Sequence, residues 1–157
     1  MVEYLKCQGT RIGYKKKTLK IFINKGGNKL KIIATSIFVD DQEKAKQFYT
    51  EKLGFELVHD MEIGGGFKWL TVKENNSDNP VEIVLEPNEN PIAKTYQNDL
   101  FNAGIPVTMF GVSNLEQTYQ SLSNLDVKFH TVPKEVEGIK LAIIDDTCGN
   151  LIQLIEQ

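Results

Sequence analysis

The reactive side chains of this 157-residue chain are few: two histidines, two cysteines and one tryptophan. His59 lies in FELVHDME and His130 in VKFHTVP. An imidazole can move protons or hold a metal, but both of these sit in strand-like runs. Their expected role is structural, partly exposed or hydrogen-bonded to a neighbour. Cys148, in DDTCGN, precedes Gly149 in what reads as a turn, with no histidine beside it to generate a thiolate. With Cys7 it forms neither a disulfide framework nor a CxxC metal pair, so a reducing, cytoplasmic location is expected. The glycines at 64–66 read as a hairpin turn, since no Walker or Rossmann pattern surrounds them. Trp69 lies on a strand whose face is not fixed by the sequence. Facing a cavity it would be a stacking platform for a flat ligand; otherwise it is a core or dimer-interface residue.

The totals exclude several classes. The longest apolar run, 32–39, is broken by Thr35 and Ser36 and is far too short to cross a bilayer, and no secretory signal is evident. The net charge of −3 divides into +7 over residues 1–29 and −10 over residues 30–157. A basic arm of this kind could bind nucleic acid or anionic lipid. A duller reading is preferred: Lys25 to Leu30 back-translates to a bacterial ribosome-binding site ahead of a TTG start codon. Residues 1–29 are then a basic extension, a translated leader, with a strand over 19–24 as the alternative. The domain is expected over 30–157, with neither nucleic acid nor membrane as partner.

Elements that could position these residues repeat. A β-branched and aromatic run at 31–39 reads as a strand. Asp40, three residues before Glu43, has capping-box spacing. A helix carrying Ala45, Phe48, Tyr49 and Leu53 on one face should follow, ended by Gly54. Strands are expected at 55–63, 67–72 and 81–85. The order recurs: a strand at 107–112, Ser113 three residues before Glu116, a helix with Leu115, Tyr119 and Leu122, and strands at 127–132, 139–144 and 151–156. Both helix starts lie 73 residues apart. A linker helix carrying Ile92, Tyr96, Leu100 and Phe101 is expected within 88–104, between units at about 30–87 and 105–157. One βαβββ unit has a single helix to cover four strands, so two copies are needed to build a domain. The expected fold is α+β: two βαβββ repeats forming a curved eight-stranded mixed sheet around a cleft, with the helices on its outer face.

The segments IFVDDQEKAKQFYTEKLGFEL, FGVSNLEQTY and DDTCGNLIQLIE resemble the vicinal oxygen chelate superfamily, which comprises the glyoxalases, bleomycin-resistance proteins and extradiol dioxygenases. The resemblance covers about residues 30–157. Metal-using members hold a divalent ion that polarises vicinal oxygens of the substrate. Matched to that pattern, the four ligand positions fall on Ala34, Glu82, Val107 and Gln153. One carboxylate and one amide do not make a catalytic metal site. No metal and no cofactor are therefore expected. Taking those positions as inward, strand alternation lines the cleft with Ala34, Ser36, Phe38, Glu82, Val84, Val107, Met109, Gly111, Leu151, Gln153 and Ile155, and sends Ile37, Val39, Phe110, Val112, Ile152 and Leu154 under the helices.

The resemblance thus implies a homodimeric binder of a small, largely apolar or aromatic molecule. Ser36, Phe38, Trp69, Glu82, Met109 and Gln153 are the expected ligand-binding residues. Glu82 is a general base or a hydrogen-bonding hook, unless Gln153 or a lysine satisfies it. The alternative is an enzyme of the same superfamily, a lactoylglutathione-lyase-like lyase, an isomerase or a dioxygenase, using Glu82 as its catalytic residue in a non-standard metal site.

Overall fold

A computed structural model describes residues 30–79 and 81–157. The extension at 1–29, with its candidate strand at 19–24, lies outside the described residues. Strand β1 (Ala34–Val39) opens the first unit, followed by α1 (Gln42–Gln47). The helix continues as a wider turn over Phe48–Lys52, where Leu53 N–H donates to the Phe48 carbonyl, and Gly54 (φ +75°) ends it. Strands β2 (Glu56–Gly64), β3 (Phe67–Lys73) and β4 (Glu82–Pro87) complete the unit. After α2 (Pro91–Asn102), the pattern repeats as β5 (Thr108–Val112), α3 (Leu115–Asn124), β6 (Phe129–Val136), β7 (Ile139–Asp145) and β8 (Leu151–Glu156).

Both cap assignments shift by one residue. Asp41, rather than Asp40, accepts hydrogen bonds from the Glu43 and Lys44 N–H groups, and Asn114, rather than Ser113, accepts from Gln117 N–H. The backbone is still extended at both caps (φ −147° and −151°), the conformation from which a short side chain reaches the next turn's donors. Asp40 instead donates its N–H to the Cys148 carbonyl at 3.1 Å, joining the first unit to the second.

The architecture is α+β, and its eight strands divide into two four-stranded mixed sheets of identical topology, β1-β4-β3-β2 and β5-β8-β7-β6. In each, the first strand lies parallel to the last, Ala34 opposite Glu82 in one and Met109 opposite Gln153 in the other. Alternation turns Ile37, Val39, Leu70, Val72 and Leu85 toward α1, and Ile144, Ile152 and Leu154 toward α3. One core joins both units. The Phe55 and Phe110 rings meet edge to face at 5.2 Å, and the buried Tyr49 hydroxyl donates to Asp146 across the units at 3.2 Å.

Helix α2 is fastened by a polar residue. Ala93 and Gln97 are its buried positions, while Ile92 and Tyr96 are exposed. The surface beneath it explains this: it presents the backbone carbonyls of Phe38 and Cys148, which an amide can serve and an apolar side chain cannot. Gln97 Nε2 lies 2.6 Å and 3.0 Å from those oxygens, and its Oε1 accepts from Asn88 Nδ2 at 2.5 Å. Gly149 (φ +96°) leaves room for the amide, because a Cβ there would stand 2.9 Å from the Gln97 side chain.

The two sheets differ in one respect. Between β7 and β8 the ladder runs from Leu141 opposite Ile155 to Asp145 opposite Leu151, whereas between β3 and β4 only Thr71–Val84 and Val72–Ile83 pair. Gln42, in the first turn of α1, occupies the gap: its Nε2 donates to the Lys68 and Leu85 carbonyls and its Oε1 accepts from Lys68 N–H. Its counterpart 73 residues on is Leu115, a core residue.

Candidate functional site

Ser36 and Phe38 alternate with the core residues Ile37 and Val39 and so occupy the face of β1 opposite the helices. Ser36 lies opposite Val84, Val84 opposite Thr71, and Thr71 opposite His59. These pairs place Glu82, Val84 and Glu86 of β4, Trp69 and Thr71 of β3, and His59 and Met61 of β2 on that same face. Trp69, undecided from the sequence, therefore points away from the core, 38 % exposed and cross-strand from Met61. On the second sheet Met109 and Gln153 are direct partners, with Ile143 beside Gln153. Met109 is 62 % exposed. Among the described residues no hydrogen bond or ion pair joins the Ser36, Phe38, Trp69 and Glu82 group to Met109 and Gln153.

Glu82, a quarter exposed, has His59 as its close ionisable neighbour, with Nε2 at 3.9 Å from Oε2, in place of the Gln153 or lysine partner weighed for it. The two side chains come from strands on either side of β3 and reach across it at the level of Thr71. That threonine is fully buried, and its hydroxyl has no hydrogen-bond partner. Nothing in the sequence marks it, because threonine is an ordinary strand residue. Four residues along β4 from Glu82, Glu86 Oε1 accepts from Ser36 Oγ at 2.6 Å.

Charge is distributed unevenly between the two faces of the first sheet. On the helix side Lys46 and Lys68 clasp Glu43 and Asp60, with contacts of 2.6 to 3.3 Å. Hydrogen bonds from the two lysines hold both carboxyls below the usual carboxylate range. On the opposite face, among the described residues, neither Glu82 nor Glu86 has a lysine or arginine within ion-pair distance.

The other candidates fall elsewhere. His130 is exposed on β6, near Gly104 at the end of α2. Burial, with the Asp146 carboxylate nearby, pushes the Cys148 thiol up to about 12, so it stays protonated and unreactive. The family's metal does not fit the four matched positions: opposite Glu82 stands the Ala34 methyl, and Val107 adds no donor. Among the described residues no group of three or more His, Cys, Asp or Glu side chains converges to hold an ion.

The family profile of the Glyoxalase/Bleomycin resistance protein/Dioxygenase superfamily matches residues 31–154. The chain belongs to that superfamily. Similar chains include the uncharacterized protein YurT of Bacillus subtilis (strain 168), 45 % identical over 128 residues, which are 82 % of this chain and all of YurT. The uncharacterized protein YetH of the same organism is 30 % identical over 77 % of this chain and 93 % of its own. Among solved structures, UcmS2 is 33 % identical with a TM-score of 0.70, covering 83 % of this chain and all of UcmS2. TnmS3, an antibiotic binding protein from Streptomyces sp. CB03234, shares the superfamily fold at 24 % identity and a TM-score of 0.62, over 83 % of this chain and 98 % of its own.

Proposed function

We propose that this superfamily member binds a small, largely apolar or aromatic molecule against the helix-free faces of its sheets, without a metal. The observation that carries this reading is the placement of Trp69 and Met61. Large apolar side chains stand side by side on an exposed face, beside Val84 and a small number of polar groups, the composition of a small-molecule site. The description of TnmS3 as an antibiotic binding protein supports the same class of ligand. Glu82 is the polar hook of the site, and Ser36, Phe38, Met109 and Gln153 contribute its walls. A second copy of the chain covers the exposed apolar residues and closes the cleft, making the working unit a homodimer.

Trp69 is the only tryptophan, so its emission reports on the face directly. Titration with a neutral polycyclic aromatic probe should quench or blue-shift that emission, unchanged by chelator, in a protein that light scattering shows to be dimeric. A silent Trp69 across a panel of such probes would remove the reading. The His59 and Glu82 pair favours a second reading, that of an enzyme in which the two side chains share a non-standard metal site with Glu82 as its catalytic residue. That enzyme reading would lead if purified protein carried near-stoichiometric transition metal and lost it in both Glu82→Gln and His59→Ala.

A further inference from the structure

The carboxyl ends of β1 and β4 and the first turns of α2 border an open recess of about 510 Å³. Phe38, Glu86, Ala93, Ile92 and Tyr96 line it, with Pro87 at its edge. Three observations bear on its occupant. The lining is apolar and aromatic apart from one carboxylate, Glu86, and the polar edge at Asn90. Ser36 Oγ, donating to Glu86 Oε1, restrains that carboxylate and leaves Oε2 with no partner among the described residues. The dipole of α2 is already met by Asn90, whose side chain accepts from Ile92 N–H, so Glu86 has no capping duty.

We propose that this cavity recognises a protonated amine carried on an apolar or aromatic body, with Glu86 as its counter-charge and Phe38 and Tyr96 as its aromatic walls. A carboxylate in an apolar recess attracts a cation more strongly than it would in open water, and ring faces add cation–π attraction while tolerating many shapes of the apolar part. An anionic ligand would meet Glu86 and Glu82 on the same face of one strand, where among the described residues no lysine or arginine lies within ion-pair distance of either. The inference rests on the binding reading above and names the charge of the ligand.

Three fluorescent probes with one aromatic body separate the two ideas: dansylcadaverine, which is cationic, dansyl-butylamide, which is neutral, and dansyl-aminohexanoate, which is anionic. Each is titrated into full-length protein at neutral pH, following probe polarisation and Trp69 emission. Dansylcadaverine should bind about five- to tenfold more tightly than the neutral probe, the effect of one partly exposed charge pair, and the anionic probe more weakly than either. Glu86→Gln, which keeps shape and volume, should bring the cationic and neutral probes within about twofold of each other. Tyr96→Ala, at an exposed position, should weaken all three. Equal binding of cationic and neutral probes, or a preference that survives Glu86→Gln, overturns this inference and leaves the binding reading standing. Failure of every probe to bind overturns both.

Discussion

Removing the Gln97 amide should cost this protein more stability than removing most core methyl groups. Its Oε1 accepts one hydrogen bond from the buried Asn88, and its two N–H groups can serve two of three oxygens within reach: Phe38 O, Cys148 O and Asn150 Oδ1. Phe38 O and Cys148 O keep other donors, Asn150 Nδ2 and Asp40 N–H, but Asn88 Nδ2 is left buried with none. Three hydrogen bonds at about 1 kcal/mol each, plus about 1 kcal/mol for the stranded Asn88 donor, give a loss of about 3–4 kcal/mol. For a domain of this size that lowers Tm by roughly 10–15 °C. Gln97→Met keeps the volume and removes only the polar contacts, so it separates hydrogen bonding from packing. The assay is thermal and urea unfolding of Gln97→Met beside the parent, followed by circular dichroism. A Tm change below about 3 °C would mean that the amide network contributes little and that α2 is held by its apolar contacts.

Three further outcomes follow from the same structure. Thr71→Val replaces an unpartnered buried hydroxyl by a methyl of equal shape and should be neutral or stabilising by about 1 kcal/mol; a clear loss in urea unfolding would mean the hydroxyl has a partner in solution. Burial raises the Asp146 carboxyl above its ordinary range despite its hydrogen bonds from Asn150, Cys148 and Tyr49, so its contribution to stability is largest in acid and declines as pH rises through the raised value. The stability of the parent relative to Asp146→Asn should therefore fall as pH rises above the ordinary carboxylate value of about 4, and a flat or rising difference would contradict that account. Gly149→Ala strains a position at φ +96° and drives a methyl into Gln97, so it should destabilise by about 1–3 kcal/mol. Combined with Gln97→Ala, which removes the obstacle, its effect should shrink in calorimetry; strict additivity would place the strain wholly in the backbone.

Period and composition were enough to read the repeat. β-Branched and aromatic runs separated by glycine turns carried the eight strands, and alternation correctly sent Ile37, Val39, Ile152 and Leu154 to the core. The caps slipped by one residue because Asp40-Asp41 and Ser113-Asn114 are each two capping residues in a row, and only backbone geometry chooses between them. Gln97 could not be read as the anchor of α2, because the deciding surface, a set of carbonyls brought together by distant strands, leaves no local trace. For the same reason Gln42 and Thr71 could not be singled out: one matters through the strand pair it separates and the other through what it lacks. Trp69 needed the register of three strands before its direction was determined.

Gln42 works as a side-chain clasp on a sheet that is otherwise fastened by backbone. Its amide takes the place of the next rung between β3 and β4, yet it is anchored in the first turn of α1, on the far side of the sheet from Trp69 and Glu86. A rung made of backbone cannot lengthen without breaking the ladder, whereas a side chain has torsions to spend. Any motion that parts β3 from β4 would therefore pull on the start of α1, so the separation of two strands and the seating of that helix are tied through a single side chain.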